Sequence, residues 1–261
     1  MYAVEPSKNA IPFFKEVMPK LNVYNGNFNE SPYINDKFDF VMANGVLEHV
    51  PNPFEFMQQF SNCLSNEGYG FIGVPNFETN PTDLFTYDHL SRFTIETITH
   101  VFESVGLKIV NTLAPNTRVP MWFILKKEKV NETYSLDTRI NKSKILAKES
   151  LSFIKNSFNS YNKCKSEKRV NDKIAMYGIG AIGLLGFEYT QLKKEDIYCF
   201  IDDNPTLQGT KKMGIDVKSN EAIIKDKINS IVLNCNPCYI NTISEKAGVI
   251  IKNTEIKLYT L

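Results

Sequence analysis

At 261 residues, with 43% hydrophobic and 23% charged side chains, the sequence has an ordinary globular composition, enough for one large domain or two small ones. A formal net charge of +1 gives no global field for nucleic acid or an acidic membrane surface, and no apolar run is long enough to span a bilayer. Five cysteines do not make a disulfide framework in a chain of this size, and Met1 to Glu5 lack the charged and apolar regions of a signal peptide, so a cytoplasmic protein without nucleic-acid or membrane partners is expected.

The chain opens with a strand, Tyr2 to Glu5, that ends on an acid. Ile11 to Met18 has helical spacing, with Pro12 tolerated in the first turn. Leu21 to Phe28 gives a short strand and a polar turn. Phe38 to Met42 is an apolar, β-favouring run of the kind that forms a buried strand, and Asn44-Gly45 is a turn signal. A short segment, Val46-Leu47-Glu48-His49-Val50, breaks at Pro51-Asn52-Pro53 before a helix over Phe54 to Leu64. Ligands of open α/β sheets bind just past the C-terminal ends of the strands, which puts Asn44, Glu48 and His49 at a candidate site.

Asn66 to Gly70 then predicts a turn into a strand over Phe71 to Val74, followed by a polar loop from Asn76 to Asp83. Thr94 is placed as the N-cap of a helix whose apolar face is Ile98, Val101, Phe102 and Val105 and which ends at Gly106. Leu107 to Val110 and Met121 to Leu125 can form antiparallel strands. Lys126 to Glu132 marks a boundary, and Lys144 to Tyr161 predicts a connecting helix. Lys173 to Tyr177 reads as a strand running into a G-x-G-x-x-G loop at Gly178, Gly180 and Gly183, with a second strand ending in Asp202-Asp203 about 20 residues on. A third strand is expected over Ser230 to Leu233. Cys235 and Cys238 form an isolated C-x-x-C that lacks the context of a redox pair or zinc site, so no metal site is expected.

The string FDFVMANGVLEHVPNP at 38–53 resembles the fourth-strand motif of class I S-adenosylmethionine-dependent methyltransferases. The segments around Gly68 to Asn76 and His89 to Thr94 are similar to the fifth strand and following helix of the same family. The later string G-I-G-A-I-G with F-I-D-D-N-P resembles the C-terminal domain of sugar C-methyltransferases and a related unit of sugar acyltransferases. The resemblance implies an α/β fold: an incomplete class I methyltransferase (Rossmann-like) sheet over residues 1–128, a linker helix over 129–169 and a smaller Rossmann-like domain over 170–261. The strand and glycine-rich loop that the family places ahead of its acid strand find no counterpart before Tyr2. A homodimer or a partner chain is therefore expected to cover an open sheet edge.

By this resemblance S-adenosyl-L-methionine is the cofactor. Glu5 and Pro6 would hold its ribose, Asn27 and Phe28 would flank the adenine, and Asn44 and Gly45 would line the cleft. Tyr87, Asp88 and His89 correspond to an aromatic–acid–histidine cluster facing the acceptor, with the tyrosine displaced by one residue. His89 would be the general base, His49 the second choice, and Asp88 would orient His89; a structural role in holding the loop is the alternative. Gly178, Gly180 and Asp203 would contact a nucleotide-linked sugar. The expected activity is methyl transfer to a small polar acceptor, a nucleotide-linked sugar or surface-polysaccharide precursor. A catalytically silent binding protein and an NAD-dependent oxidoreductase are the alternatives.

Overall fold

The computed structural model describes residues 1–113, 120–128, 131–235 and 239–260. These fall into two compact units, 1–78 with 85–144 and 79–84 with 145–261.

The first unit holds two sheets. Strands β1 (Tyr2–Glu5) and β2 (Asn22–Asn25) pair in parallel around helix α1 (Ile11–Val17). The second sheet comprises β3 (Phe38–Asn44), β4 (Leu64–Val74), β5 (Leu107–Leu113) and β6 (Met121–Lys127) in the order β3-β4-β6-β5. β3 and β4 run parallel, joined through helix α2 (Pro53–Cys63), while β5 and β6 complete the sheet antiparallel. Helix α3 (Ile95–Ser104) packs on the sheet with α2, so that Met57, Phe60, Ile98 and Phe102 meet Ile72, Phe123 and Leu125 in one core.

Two expectations are corrected here. β3 is not buried on both faces: Phe40 and Met42 are 57% and 64% exposed, while Val41 and Ala43 turn toward the core. Among the described residues the strand has a partner on one side only, β4, and forms the edge of its sheet. The turn expected over Asn66 to Gly70 is instead an irregularity within β4: Leu64, which caps α2, is already extended and pairs with Phe38, and regular pairing resumes only at Tyr69 opposite Phe40.

The second unit is a three-layer α/β structure. Its sheet is built from β7 (Ile174–Tyr177), β8 (Ile197–Ile201), β9 (Lys211–Lys212), β10 (Ile215–Lys218), β11 (Ser230–Leu233) and β12 (Lys257–Tyr259), in the order β12-β11-β7-β8-β10-β9. All neighbours are parallel except β9 and β10. One face is covered by the part of α4 (Leu136–Glu167) that belongs to this unit and by α5 (Ala181–Tyr189), through Ile154, Tyr161 and Phe187. The other is covered by α6 (Ala222–Lys225) and α7 (Ile240–Ile251), through Ala222, Ile223 and Ala247. All four residues of β7 and of β11 are buried, as strands covered on both faces must be. The expectation of a mixed α/β protein holds. The predicted connecting helix is part of the longer α4, within which the two units divide.

Candidate functional site

The site forms where β3 runs out. Gly45 adopts φ +66 and donates its amide to the carbonyl of Gly73, so the chain turns sharply off the sheet at the predicted Asn44-Gly45 position. Leu47, 1% exposed, anchors the following segment in the core and leaves Glu48 and His49 at the strand's C-terminal end. Asn52 then caps α2 by accepting from the Glu55 amide at 3.2 Å.

The loop at 86–92 is stapled to this segment. The amides of Leu90 and Ser91 both donate to the Glu48 carbonyl, at 2.7 and 3.1 Å. Arg92 closes the loop by donating to the Thr86 carbonyl at 2.8 Å. His49 and His89 thereby meet edge to face, with ring centroids 4.8 Å apart. Ligand-type atoms of Glu48, His49 and His89 all lie within 4.8 Å of one another. His49 Nδ1 is 2.9 Å from the Asp88 carbonyl oxygen, and since that oxygen can only accept, Nδ1 carries the proton. The lone pair of neutral His49 is then on Nε2, which faces Glu48 Oε1 at 3.9 Å.

The predicted catalytic residues are only partly assembled. His49, His89 and Asp88 come together, but the Asp88 carboxylate stands 3.7 Å from His49 Nδ1, so His49 has the acidic neighbour that sequence reading gave to His89. Tyr87 is 94% exposed. Glu48, placed at the site by the sequence without a role, contributes a buried carboxylate.

Among the predicted cofactor residues, Glu5 ends β1 and its Oε1 accepts from the Ser7 amide at 2.7 Å, which orients the carboxylate. The carbonyls of Glu5 and Pro6 accept from the Asn25 side chain at 2.8 and 3.2 Å. Asn27 caps a single 3₁₀ turn in a reciprocal box with Glu30. Phe28 meets Phe56 with tilted rings, 5.1 Å between centroids, and packs against the core. Asn44 Oδ1 accepts from Trp122 Nε1 at 3.2 Å, a partner 78 residues away that no local signal could disclose.

In the second unit Gly178 (φ +97) and Gly180 lie between β7 and α5, next to Asn234 at the end of β11. The buried Asn234 side chain donates to the carbonyls of both glycines, at 3.1 and 3.2 Å. A Cβ on Gly178 would collide with the Asn234 carbonyl, so this glycine is required by the approach of the protein's own backbone. Asp203 accepts from Tyr177 Oη and from Lys246 Nζ, each at 2.7 Å. Burial raises its pKa, but the bonds from Lys246 and Tyr177 bring it below the usual carboxylate range. Both carboxylate oxygens thus have protein partners, and each keeps a lone pair. The C-x-x-C reading falls partly outside the described residues, since 236–238 are not described.

Residues 1–112 match the model of a family described as a methyltransferase domain. Solved structures similar to part of the chain include the mitomycin 7-O-methyltransferase (12% identity, 48% of this chain and 41% of that one, TM-score 0.42). A TehB-like S-adenosylmethionine-dependent methyltransferase from Corynebacterium glutamicum is similar at 16% identity, over 49% of this chain and 67% of that one, with a TM-score of 0.38. An S-adenosylmethionine-dependent methyltransferase from Clostridium acetobutylicum is similar at 15% identity, over 49% of this chain and 74% of that one, with a TM-score of 0.41. The chain thus spans less than half the length of the mitomycin enzyme. No curated protein matches the sequence. Over residues 1–112 the match agrees with the resemblance to a methyltransferase domain. No helix among the described residues is long and apolar enough to cross a membrane.

Proposed function

We propose that this protein transfers a methyl group from S-adenosylmethionine to a small polar acceptor, a nucleotide-linked sugar or surface-polysaccharide precursor. The observation that carries the reading is the pair of imidazoles, His49 and His89, brought together at the C-terminal end of β3 inside the stretch that matches a methyltransferase domain. The residues present fit the donor at its ribose end: Glu5 is a carboxylate at a strand terminus, already oriented by the Ser7 amide, and each of its oxygens can accept further hydrogen bonds. Pro6, Asn44 and Gly45 would line the same cleft. The bound donor supplies an electrophilic methyl on a sulfonium, whose C–S electron pair stays with sulfur on transfer.

The chain's own residues position the acceptor and take its proton. His49, with its proton fixed on Nδ1 by Asp88, keeps an Nε2 lone pair that can receive a proton, and His89 stands against it as the alternative base. The sugar class of acceptor rests on the likeness of the second unit's glycine loop to that of sugar-modifying enzymes, with Gly178, Gly180 and Asp203 as its contacts.

Incubation with methyl-labelled S-adenosylmethionine and a panel of nucleotide-linked sugars tests the reading. Label is expected in a sugar product, and loss of the base in His49→Gln should lower kcat by about 10²- to 10⁴-fold. Transfer only to acceptors of another class would overturn the sugar assignment.

A further inference from the structure

We propose that Glu48, His49 and His89 form a binding site for one borderline divalent transition-metal ion, zinc being the representative case. Two imidazoles and one carboxylate are the ligand types that catalytic sites use when they leave coordination positions open. All-oxygen ions such as magnesium or calcium are disfavoured by the two nitrogen ligands.

Proximity alone would be weak evidence. The independent observation is the tautomer of His49. Metal-bound histidines characteristically donate the other ring N–H to a backbone carbonyl or a carboxylate, which fixes the ring and raises the basicity of the ligating nitrogen. His49 has both partners on that side: Nδ1 donates to the Asp88 carbonyl at 2.9 Å, and the Asp88 carboxylate lies 3.7 Å away. Its Nε2 is consequently the ligating atom and points toward Glu48.

The dimensions are compatible. Bonds of about 2.1 Å at tetrahedral angles set ligand atoms roughly 3.4 Å apart. The Glu48–His49 pair is at 3.9 Å, and the widest pair needs to close by a little over an ångström, within the reach of side-chain rotation. The backbone frame is already fixed, because the amides after His89 are bonded to the carbonyl of Glu48 itself. The Glu48 side chain is 4% exposed and His49 38%, so an ion would be anchored from the buried side and open toward solvent. An acceptor hydroxyl could reach it there. Use of the ion in methyl transfer rests on the function proposed above; binding of the ion does not. With an ion bound, the two rings become ligands, and polarisation of the acceptor oxygen passes to the ion.

The test is titration of cobalt(II) into the 261-residue chain, followed by visible absorption and calorimetry, with zinc as competitor. We expect one ion per chain, a nitrogen–oxygen ligand-field spectrum and displacement by zinc. His49→Ala, at a partly exposed ring, and His89→Ala should each weaken binding at least tenfold, with thermal melts confirming that both variants fold. Absence of uptake would overturn the proposal. So would uptake marked by thiolate charge-transfer absorption and unchanged in both variants, since the protein's cysteines would then be the ligands. A parallel titration with S-adenosylhomocysteine separates the two claims: homocysteine-derivative binding without cobalt binding sinks the metal site alone, and the reverse sinks the methyltransferase reading alone.

Discussion

Asp196 carries two opposed effects. Burial pushes its pKa up, but Lys165 Nζ bonds both carboxylate oxygens at 2.6 and 2.7 Å and the Lys193 amide adds a third bond at 3.0 Å. The bonds win, and the carboxyl sits below its usual range. A carboxyl depressed in the folded state adds stability that is complete above its unfolded pKa of about 3.9 and disappears as pH falls through the lower folded value. Urea unfolding should therefore show wild type losing stability relative to Asp196→Asn as pH drops below about 4. At neutral pH the variant should be less stable by about 1–3 kcal/mol. A constant difference across that range would contradict the account. Residue chemistry was unevenly legible at the candidate site. Glu48 and His49 follow a strand and a turn signal, so their place could be read. Which ring Asp88 meets depends on two long-range amide bonds to Glu48, which leave no trace in local sequence.

Helix α3 begins as its sequence announces. The Thr94 hydroxyl accepts from the Thr97 amide at 3.3 Å, and Thr97 Oγ1 accepts in return from the Thr94 amide at 2.9 Å. Thr94→Ala removes this cap and should destabilise the protein by about 1 kcal/mol, within a range of 0.5–2. A denaturation midpoint unchanged from wild type would show that the cap contributes nothing. Caps, breaks and helical spacing are local, which is why α2, α3 and the turn at Gly45 were readable. β4 reads as a turn at its start because Asn66-Glu67-Gly68 has turn composition, and these residues lie in an irregular stretch of the strand between the Phe38–Leu64 and Phe40–Tyr69 pairs, with regular pairing to β3 and β6 only from Tyr69 on. β3 was misread in its burial because a continuous apolar run does not distinguish a central strand from an edge strand; only the sheet order does.

On the scale of the whole chain, the described residues fall into two units with separate cores, each built from its own strands and helices. The second unit was only half legible. β7 and β11 are buried runs and β8 is buried except at Tyr198, whereas β9 is two exposed lysines and β10 and β12 are short strands with charged positions, so composition hid them. Its glycine loop shows how one motif serves two demands. The spacing suggested a phosphate cradle, but Asn234 already occupies the underside of the loop and bonds two of its carbonyls. The central proposal belongs to the first unit: that an oriented carboxylate at the end of β1 and the imidazole pair beyond β3 serve one methyl-transfer site. Calorimetric titration of S-adenosylhomocysteine into the wild-type chain and into Glu5→Ala tests it most directly. The account predicts saturable binding to the wild type and affinity weakened about tenfold or more in the variant, as loss of hydrogen bonds to a charged group entails. Absence of binding to the wild type, or equal affinity in both proteins, would contradict it.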